Sequence, residues 1–460
     1  MRGLDVYQDL RRILGGGKVT RDPVMLHIHS RDAAYLKGDA YAAVFPTSIE
    51  DVRRVVSYCF ENDVKIYPQG GSSELTGSSI PMGDGIIVNF QRMRRVLDEG
   101  LDDSYIYVEP GISIYEVNTI LRETSYFFPI DPASMRTATV GGAVSTGAGG
   151  IMGFRYGLMR DWVLGLDLVL PDEEASLLRL NYKTLKSREG YDLVRLIVGS
   201  EGTLALVVGA VLRLTNHPGV YSTVAGFYDD IHRLVKTSIR LRRSIKDLLL
   251  LEFVDSSTVN KVVGYGRVEK LGEGHMLIAA STGDYREVED VMKSGGASDT
   301  LSAEDPRSAE EMGIYEVRRG FYPVLIDEAV NSVDGDIAIY IEDVSVPPTK
   351  MVEYLPKVID ILEREGISFG LAGHIGDGNI HPTMWSPLEN VDRLYRVGEE
   401  IMELALDYNG VVSSEHGIGL VKKTALIKSL RRRGFKAYEL MKSIKRVFDP
   451  RNILNPGKVL

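Results

Sequence analysis

The stretch Pro68-Gln69-Gly70-Gly71-Ser72-Ser73-Glu74-Leu75-Thr76-Gly77-Ser78-Ser79 decides the fold. It runs straight out of residues 64–67, whose apolar character reads as a short strand. Glycine lets a backbone approach a ligand closely, and successive N–H groups can form an anion nest. The hydroxyls of Ser72, Ser73 and Thr76 add donors. A diphosphate is the natural guest; the plain alternative is a surface loop. A second such segment lies about seventy residues on: Thr139-Val140-Gly141-Gly142-Ala143-Val144-Ser145-Thr146-Gly147-Ala148-Gly149-Gly150. Two of them can enclose an extended ligand from both sides. No Gly-Lys-Ser/Thr ends the first loop, which excludes a Walker A site. No G-x-G-x-x-G opens a helix there, which argues against a Rossmann dinucleotide site.

Around these loops the pattern is mixed helix and strand. Ser48 with Asp51 has capping-box spacing, and Ile49, Val52, Val55, Val56 and Cys59 recur at helical intervals. Strands are expected at 86–90, 105–109, 163–170 and 204–214, and a helix at 113–124. The turn Asn216-His217-Pro218-Gly219 reads as a domain boundary. Beyond it, strands at 222–227, 248–254, 275–280, 336–341 and 368–373 alternate with helices at 230–242, 305–319 and 350–365. This pattern predicts a second α+β domain with an open sheet covered by helices. Residues 392–446 read as mostly helical. The division expected is a lead-in at 1–36, a first domain at 37–217, a second at 218–435, and a segment at 436–460 that packs back on the first.

Composition narrows the function. The 460 residues carry a net charge of −10, which argues against a general nucleic-acid binder. One cysteine, Cys59, cannot supply the four thiolates of an iron–sulfur cluster. Arg431, Arg432 and Arg433 form the densest basic run, read as a solvated helix end. The start of the sequence lacks a signal-peptide pattern, so a cytoplasmic location is expected, with peripheral contact at the inner face of a membrane left open.

The second domain holds Gly373-His374-Ile375-Gly376-Asp377-Gly378-Asn379-Ile380-His381-Pro382. Asp-Gly is a strong hairpin signal. With Asp377 and Gly378 as the central residues, His374 falls opposite His381, close enough to share a metal ion. Further on stands Ser413-Ser414-Glu415-His416-Gly417-Ile418-Gly419. Glu415 can add an oxygen ligand, completing a set that suits zinc, manganese or iron with open positions. His416 is then the candidate general base, since neighbours along an extended chain point apart. A carboxylate-bearing substrate needs a cation, and Arg318 and Arg319 are candidates; adjacent arginines on a helix face different ways.

Taken in order, Pro68–Pro81, Tyr107-Val108-Glu109-Pro110-Gly111, Pro129-Ile130-Asp131-Pro132-Ala133-Ser134, Thr139–Gly150 and Ile197-Val198-Gly199-Ser200-Glu201-Gly202-Thr203-Leu204 resemble the FAD-binding domain of vanillyl-alcohol oxidase and p-cresol methylhydroxylase. The C-terminal half resembles the FAD-linked oxidase cap of the D-lactate and glycolate dehydrogenase branch. The resemblance implies an α+β fold: FAD between two subdomains of the first domain, and a cap with an open antiparallel sheet. It implies cofactor contacts from Pro68, Gln69, Gly70, Gly71, Ser72, Ser73, Thr76 and Gly77 in the first loop. Pro132 and Ser134 would precede a second set: Thr139, Gly142, Ala143, Thr146, Gly149 and Gly150, with Tyr156 beyond. Glu201 and Gly202 would lie near the ribityl or ring region, joined by Asn455 from the C-terminus. In some relatives a histidine of the first loop bonds covalently to the flavin; residues 68–76 have none, so FAD is expected to be non-covalent. The resemblance also implies His374, His381 and Glu415 as metal ligands, His416 as base, and Arg318 as the arginine that binds the substrate carboxylate.

The hydroxyglutarate members of the branch carry a lysine just before the family's Asp-hydrophobic-Ser-hydrophobic-Pro segment and an asparagine two residues after the second histidine. Here the corresponding residues are Glu342 and Thr383, so a small monocarboxylate is expected: D-lactate first, glycolate next. The expected chemistry is hydride transfer from the 2-hydroxy acid to flavin N5, assisted by the metal and His416. The acceptor is open among quinone, cytochrome, electron-transfer flavoprotein and an iron–sulfur partner; a homo-oligomer is expected. The rival readings are an alcohol or alditol oxidase on the same fold and a non-catalytic flavin subunit. The histidine, glutamate and arginine set weighs against both.

Overall fold

The computed structural model describes residues 5–33, 36–268 and 271–460; residues 1–4, 34 and 35 of the expected lead-in and 269 and 270 of the expected second domain lie outside that range. Two units emerge: Met1–Gly150 with Gly157–His217 and Glu415–Leu460, and Ile151–Tyr156 with Pro218–Ser414.

The first unit carries two principal sheets. In one, Val19–Thr20, Ala42–Val44, Gly85–Asn89 and Lys65–Gln69 lie side by side, the last three parallel. The helix Ile49–Asn62 joins two of these strands, and Ser48 caps it by accepting from the Asp51 N–H. Its buried face, Val52, Val55, Val56 and Cys59, meets Ile66, Ile86 and Val88 in one core. The other sheet is antiparallel throughout: Val96–Gly100, Tyr105–Val108, Leu206–Arg213, Val163–Val169 and Leu177–Leu180. Leu206 to Leu212 are all buried, as expected of a central strand covered on both faces.

The expected divisions shift in three places. The lead-in is not separate: Leu10 and Leu14 enter the first unit's core, and Val19 pairs with Val44. The chain returns to the first unit at Glu415 rather than at residue 436, because loop 416–422 bonds to Thr76 and Glu201. Residues Ile151–Tyr156 belong to the second unit, where Arg242 stacks on Phe154.

In the second unit one open sheet runs Asp299–Ala303, Ser222–Tyr228, His275–Ser281, Leu248–Val254, Ser368–Gly373, Asn379–Pro387, Ile337–Ile341. Every pairing in it is antiparallel. The helix Ile314–Ser332 packs Val317, Phe321, Val324 and Leu325 into the core over this sheet. The single helix expected over 305–319 is two, Pro306–Glu311 and Ile314–Ser332, broken at Gly313. Gly313 is left-handed (φ +76°), and a Cβ there would lie 2.6 Å from Val268. Among the described residues, no helix is long and apolar enough to cross a membrane.

Candidate active site

Gly70 and Gly71 of the first loop are explained by the second segment pressing on them. A Cβ on Gly70 would stand 2.2 Å from Thr139 Oγ1, and one on Gly71 would stand 1.9 Å from the Thr137 carbonyl. Thr139 caps the helix Val140–Thr146, its hydroxyl accepting from the Gly142 N–H at 3.2 Å. Ser134 sets up that approach: its carbonyl accepts from the N–H groups of Thr137 and Ala138. Gly150 packs so tightly on Asp131, just before Pro132, that a Cβ would lie 2.5 Å from it. Ser72 is left-handed (φ +51°), a conformation that side chains rarely adopt. Thr146 Oγ1 donates to the Gly142 carbonyl, and Ala143 is buried. These segments therefore form one ordered backbone surface rather than free loops. Gln69 is the exception in the first loop. Its side chain is buried in a polar cluster, donating to the His29 carbonyl at 2.7 Å and accepting from Asn89 at 3.0 Å.

Glu201 is the hub of the first unit's site. Its carboxylate accepts from the Ile418 and Gly419 N–H groups at 2.6 and 2.8 Å. Thr76 Oγ1 donates to the His416 carbonyl at 3.3 Å. Gly417 and Gly419 are both left-handed, and Cβ atoms there would strike Glu201 Oε1 and the Thr76 carbonyl. The glycines after His416 are thus what lets this loop lie on Glu201 and Thr76. Asn455 closes the group, donating to the carbonyls of Ser78 and Glu201, both at 2.7 Å. Burial lifts the Glu201 carboxyl to about 7, against the pull of the two N–H groups. Burial also lowers Lys458 to about 8, opposed by Glu74 and Glu201. Gly202 is left-handed as well, with Pro68 against the position of its absent Cβ. Gly77 is left-handed at the turn that follows Thr76. A Cβ on Gly149 would stand 2.4 Å from Glu415 Oε2, so that glycine makes room for the glutamate.

In the second unit the expected hairpin is corrected. Ala372, not His374, pairs with His381. The reversal is longer than two residues: the Asp377 and Asn379 N–H groups both donate to the His374 carbonyl. A two-residue type I′ turn needs positive φ at both central residues, and only Gly378 has it. The two rings still meet edge to face, with centroids 5.3 Å apart.

Each histidine is oriented through Nδ1. His374 Nδ1 lies 2.7 Å from Glu252 Oε1, and His381 Nδ1 lies 3.3 Å from the Glu342 carbonyl. Metal-binding histidines are commonly oriented in this way, through the ring nitrogen that does not ligate. The donor chemistry therefore fits a zinc-like ion. Glu252 also accepts from Arg318 Nε at 2.8 Å, so one buried carboxylate joins the metal-type histidine to the anion-binding candidate. Sequence reading missed Glu252. Its signal was a lone carboxylate in the apolar strand Leu248–Val254.

Asp343 was the other omission. The flanking pairs Ile341 with Thr383 and Val344 with Ile380 put it across from His381. Their ligand atoms lie within 4.8 Å of one another. Asp343 accepts from Asn379 Nδ2, and from Ser413 Oγ and the Ser414 N–H. It thereby fixes the two residues that precede Glu415. Glu342 is fully buried and accepts from the Tyr340 hydroxyl and the Asp343 N–H.

Comparison with known proteins agrees with this architecture. Residues 40–178 match the family model "FAD binding domain", and residues 218–459 match "FAD linked oxidases, C-terminal domain". The chain is 31% identical to glycolate oxidase subunit GlcD of Bacillus subtilis, over 91% of this chain and 88% of that one. It is also 31% identical to the D-lactate dehydrogenase of Archaeoglobus fulgidus, over 91% of each. Identity to the D-2-hydroxyglutarate dehydrogenase of Stutzerimonas stutzeri is 28%, over 99% of this chain and 98% of the other. Among solved structures, p-cresol methylhydroxylase with substrate bound superposes with a TM-score of 0.78, at 16% identity over 98% of this chain and 96% of that one. The paired sheets of the first unit, the open antiparallel sheet of the second and these matches place the chain in the FAD-linked oxidase family, with an FAD-binding domain of the p-cresol methylhydroxylase type.

Proposed function

We propose that this chain oxidises a small D-2-hydroxy acid, D-lactate before glycolate, to the 2-oxo acid. The observation that carries the reading is Glu252, which ties His374 to Arg318 and so couples a metal-type histidine to a carboxylate-binding cation. With Nε committed to Glu252, the two Nη groups of Arg318 remain as the planar fork that suits a substrate carboxylate. That grip orients the substrate Cα–H. His416 takes the hydroxyl proton. Its loop is fixed from both sides in sequence: Asp343 holds Ser413 and Ser414, and Glu201 holds Ile418 and Gly419. FAD, held without a covalent bond by the two glycine-rich segments with Glu201, Gly202 and Asn455, supplies the hydride acceptor. A divalent ion held by His374, His381 and Glu415 supplies Lewis acidity toward the substrate oxygens.

Relatives named for glycolate, D-lactate and D-2-hydroxyglutarate support the substrate class. Glu342 and Thr383 support a monocarboxylate, since neither offers a cation to a second carboxylate. The electron acceptor is proposed to be a separate partner, and the relative named D-lactate dehydrogenase (cytochrome) of Arabidopsis thaliana supports that. The test is an anaerobic visible spectrum before and after D-lactate. Bleaching of the flavin band is expected. A band unchanged by D-lactate and glycolate but bleached by an alditol would overturn the reading.

A further inference from the structure

We propose that the C-terminal helix pair of the first unit is a docking surface for an anionic lipid bilayer. Residues 422–451 hold eleven Lys and Arg; Lys422 is buried and Lys445 turns inward to the buried Asp449, which leaves nine against Glu439, in a chain whose net charge is −10. So strong a local reversal of sign selects an anionic occupant. The helices are Lys423–Arg433 and Lys436–Phe448. The second buries no residue fully, yet it is anchored from behind. Lys445 Nζ donates to the carbonyls of Thr203 and Leu454 and to Asp449.

Its outer side is apolar as well as basic. Phe435, Leu440, Met441 and Val447 are exposed, Val447 by 79%, within thirteen residues of sequence. Leu440 and Val447, seven apart, share a helix face with Lys436, while Lys442 and Arg446 share the neighbouring face with Phe435. Scattered exposed apolar residues need no explanation, but a cluster inside a cationic surface does. An acidic protein would satisfy the charge alone. A bilayer satisfies both features, taking the cations at its headgroups and the apolar side chains at the acyl boundary. Arg431 stacks on Phe435, and Arg431–Arg433 are exposed, which extends the cationic surface. The proposal does not depend on which hydroxy acid is oxidised.

The test is co-sedimentation of the flavin-loaded chain with vesicles. Binding is expected to phosphatidylcholine vesicles that contain phosphatidylglycerol, weak binding to pure phosphatidylcholine, and release by salt. The triple variant Lys436→Gln, Lys442→Gln, Arg446→Gln is expected to bind on the order of a hundredfold more weakly. Leu440→Ser with Val447→Ser is expected to weaken binding about tenfold. Both variants should keep the flavin absorbance and the turnover with a soluble dye. Absence of vesicle binding would overturn the proposal and leave the surface to an acidic protein. So would a triple variant that sediments like the parent.

Discussion

Glu252 is almost wholly buried and has two dissimilar partners, the His374 ring and the Arg318 guanidinium. A carboxylate in that position orients both and balances the charge of the arginine. Removing it outright would strand a nearly buried cation, a change that costs about 3–5 kcal/mol in comparable pairs. Glu252→Gln keeps the shape and one acceptor, so folding and flavin content should survive. On the proposed reading of His374 as a metal ligand, turnover with the hydroxy acid is expected to fall about 10–100-fold, the usual cost of losing the group that orients such a ligand. Steady-state kinetics beside the flavin spectrum would check this; unchanged kcat/KM with D-lactate would remove Glu252 from the site. The same logic explains why Glu342 and Asp343 differ although they are neighbours. One is spent on Tyr340 and a backbone N–H, the other on Asn379 and the serines before Glu415.

Among elements, the two glycine-rich segments matter most. Their glycines serve packing between loops as much as any ligand, because Gly71 sits where a side chain would meet the Thr137 backbone. Gly71→Ala should push the segments apart. The expected cost is about 1–3 kcal/mol, typical of overpacking a well-fitted site, together with loss of bound flavin. Urea unfolding and the ratio of flavin to protein absorbance would measure both. Parent-like stability with full flavin occupancy would show that the segments can separate without harm. The hairpin between Ser368–Gly373 and Asn379–Pro387 makes a related point: Asp377 stays out of the left-handed region, and the turn lengthens to compensate.

At the scale of the whole molecule, Glu201 draws together segments far apart in the chain. It meets Ile418 and Gly419 directly, and Asn455 bonds to its carbonyl. Its carboxyl is raised by burial to about 7, from 4.5 in the free side chain. The folded chain therefore binds more protons than the unfolded chain between those values. Stability conferred by the protonated group is full at low pH and declines as pH rises through that window. Urea unfolding of the parent against Glu201→Gln, across pH 4 to 8, should show the parent alone losing up to one proton's worth of stability per pH unit, about 1.4 kcal/mol. Parallel slopes would contradict the assignment.

The sequence alone determined what is local. Ser48 capping its helix, glycine-rich loops after a strand, and a reversal between His374 and His381 follow from backbone preferences and hydrogen bonds a few residues long. The candidates His374, His381, Glu415 and His416 were proposed from motif spacing, and Arg318 was preferred to Arg319 through the family resemblance. Tertiary structure decided which carboxylates serve them. Glu252 is 122 residues from His374 and 66 from Arg318, and Glu201 is 217 from Ile418. Nothing in the run Leu248–Val254 says which donors its one glutamate will face. That depends on sheet register and helix packing, and a buried charge takes its role only from the partners those long-range contacts deliver.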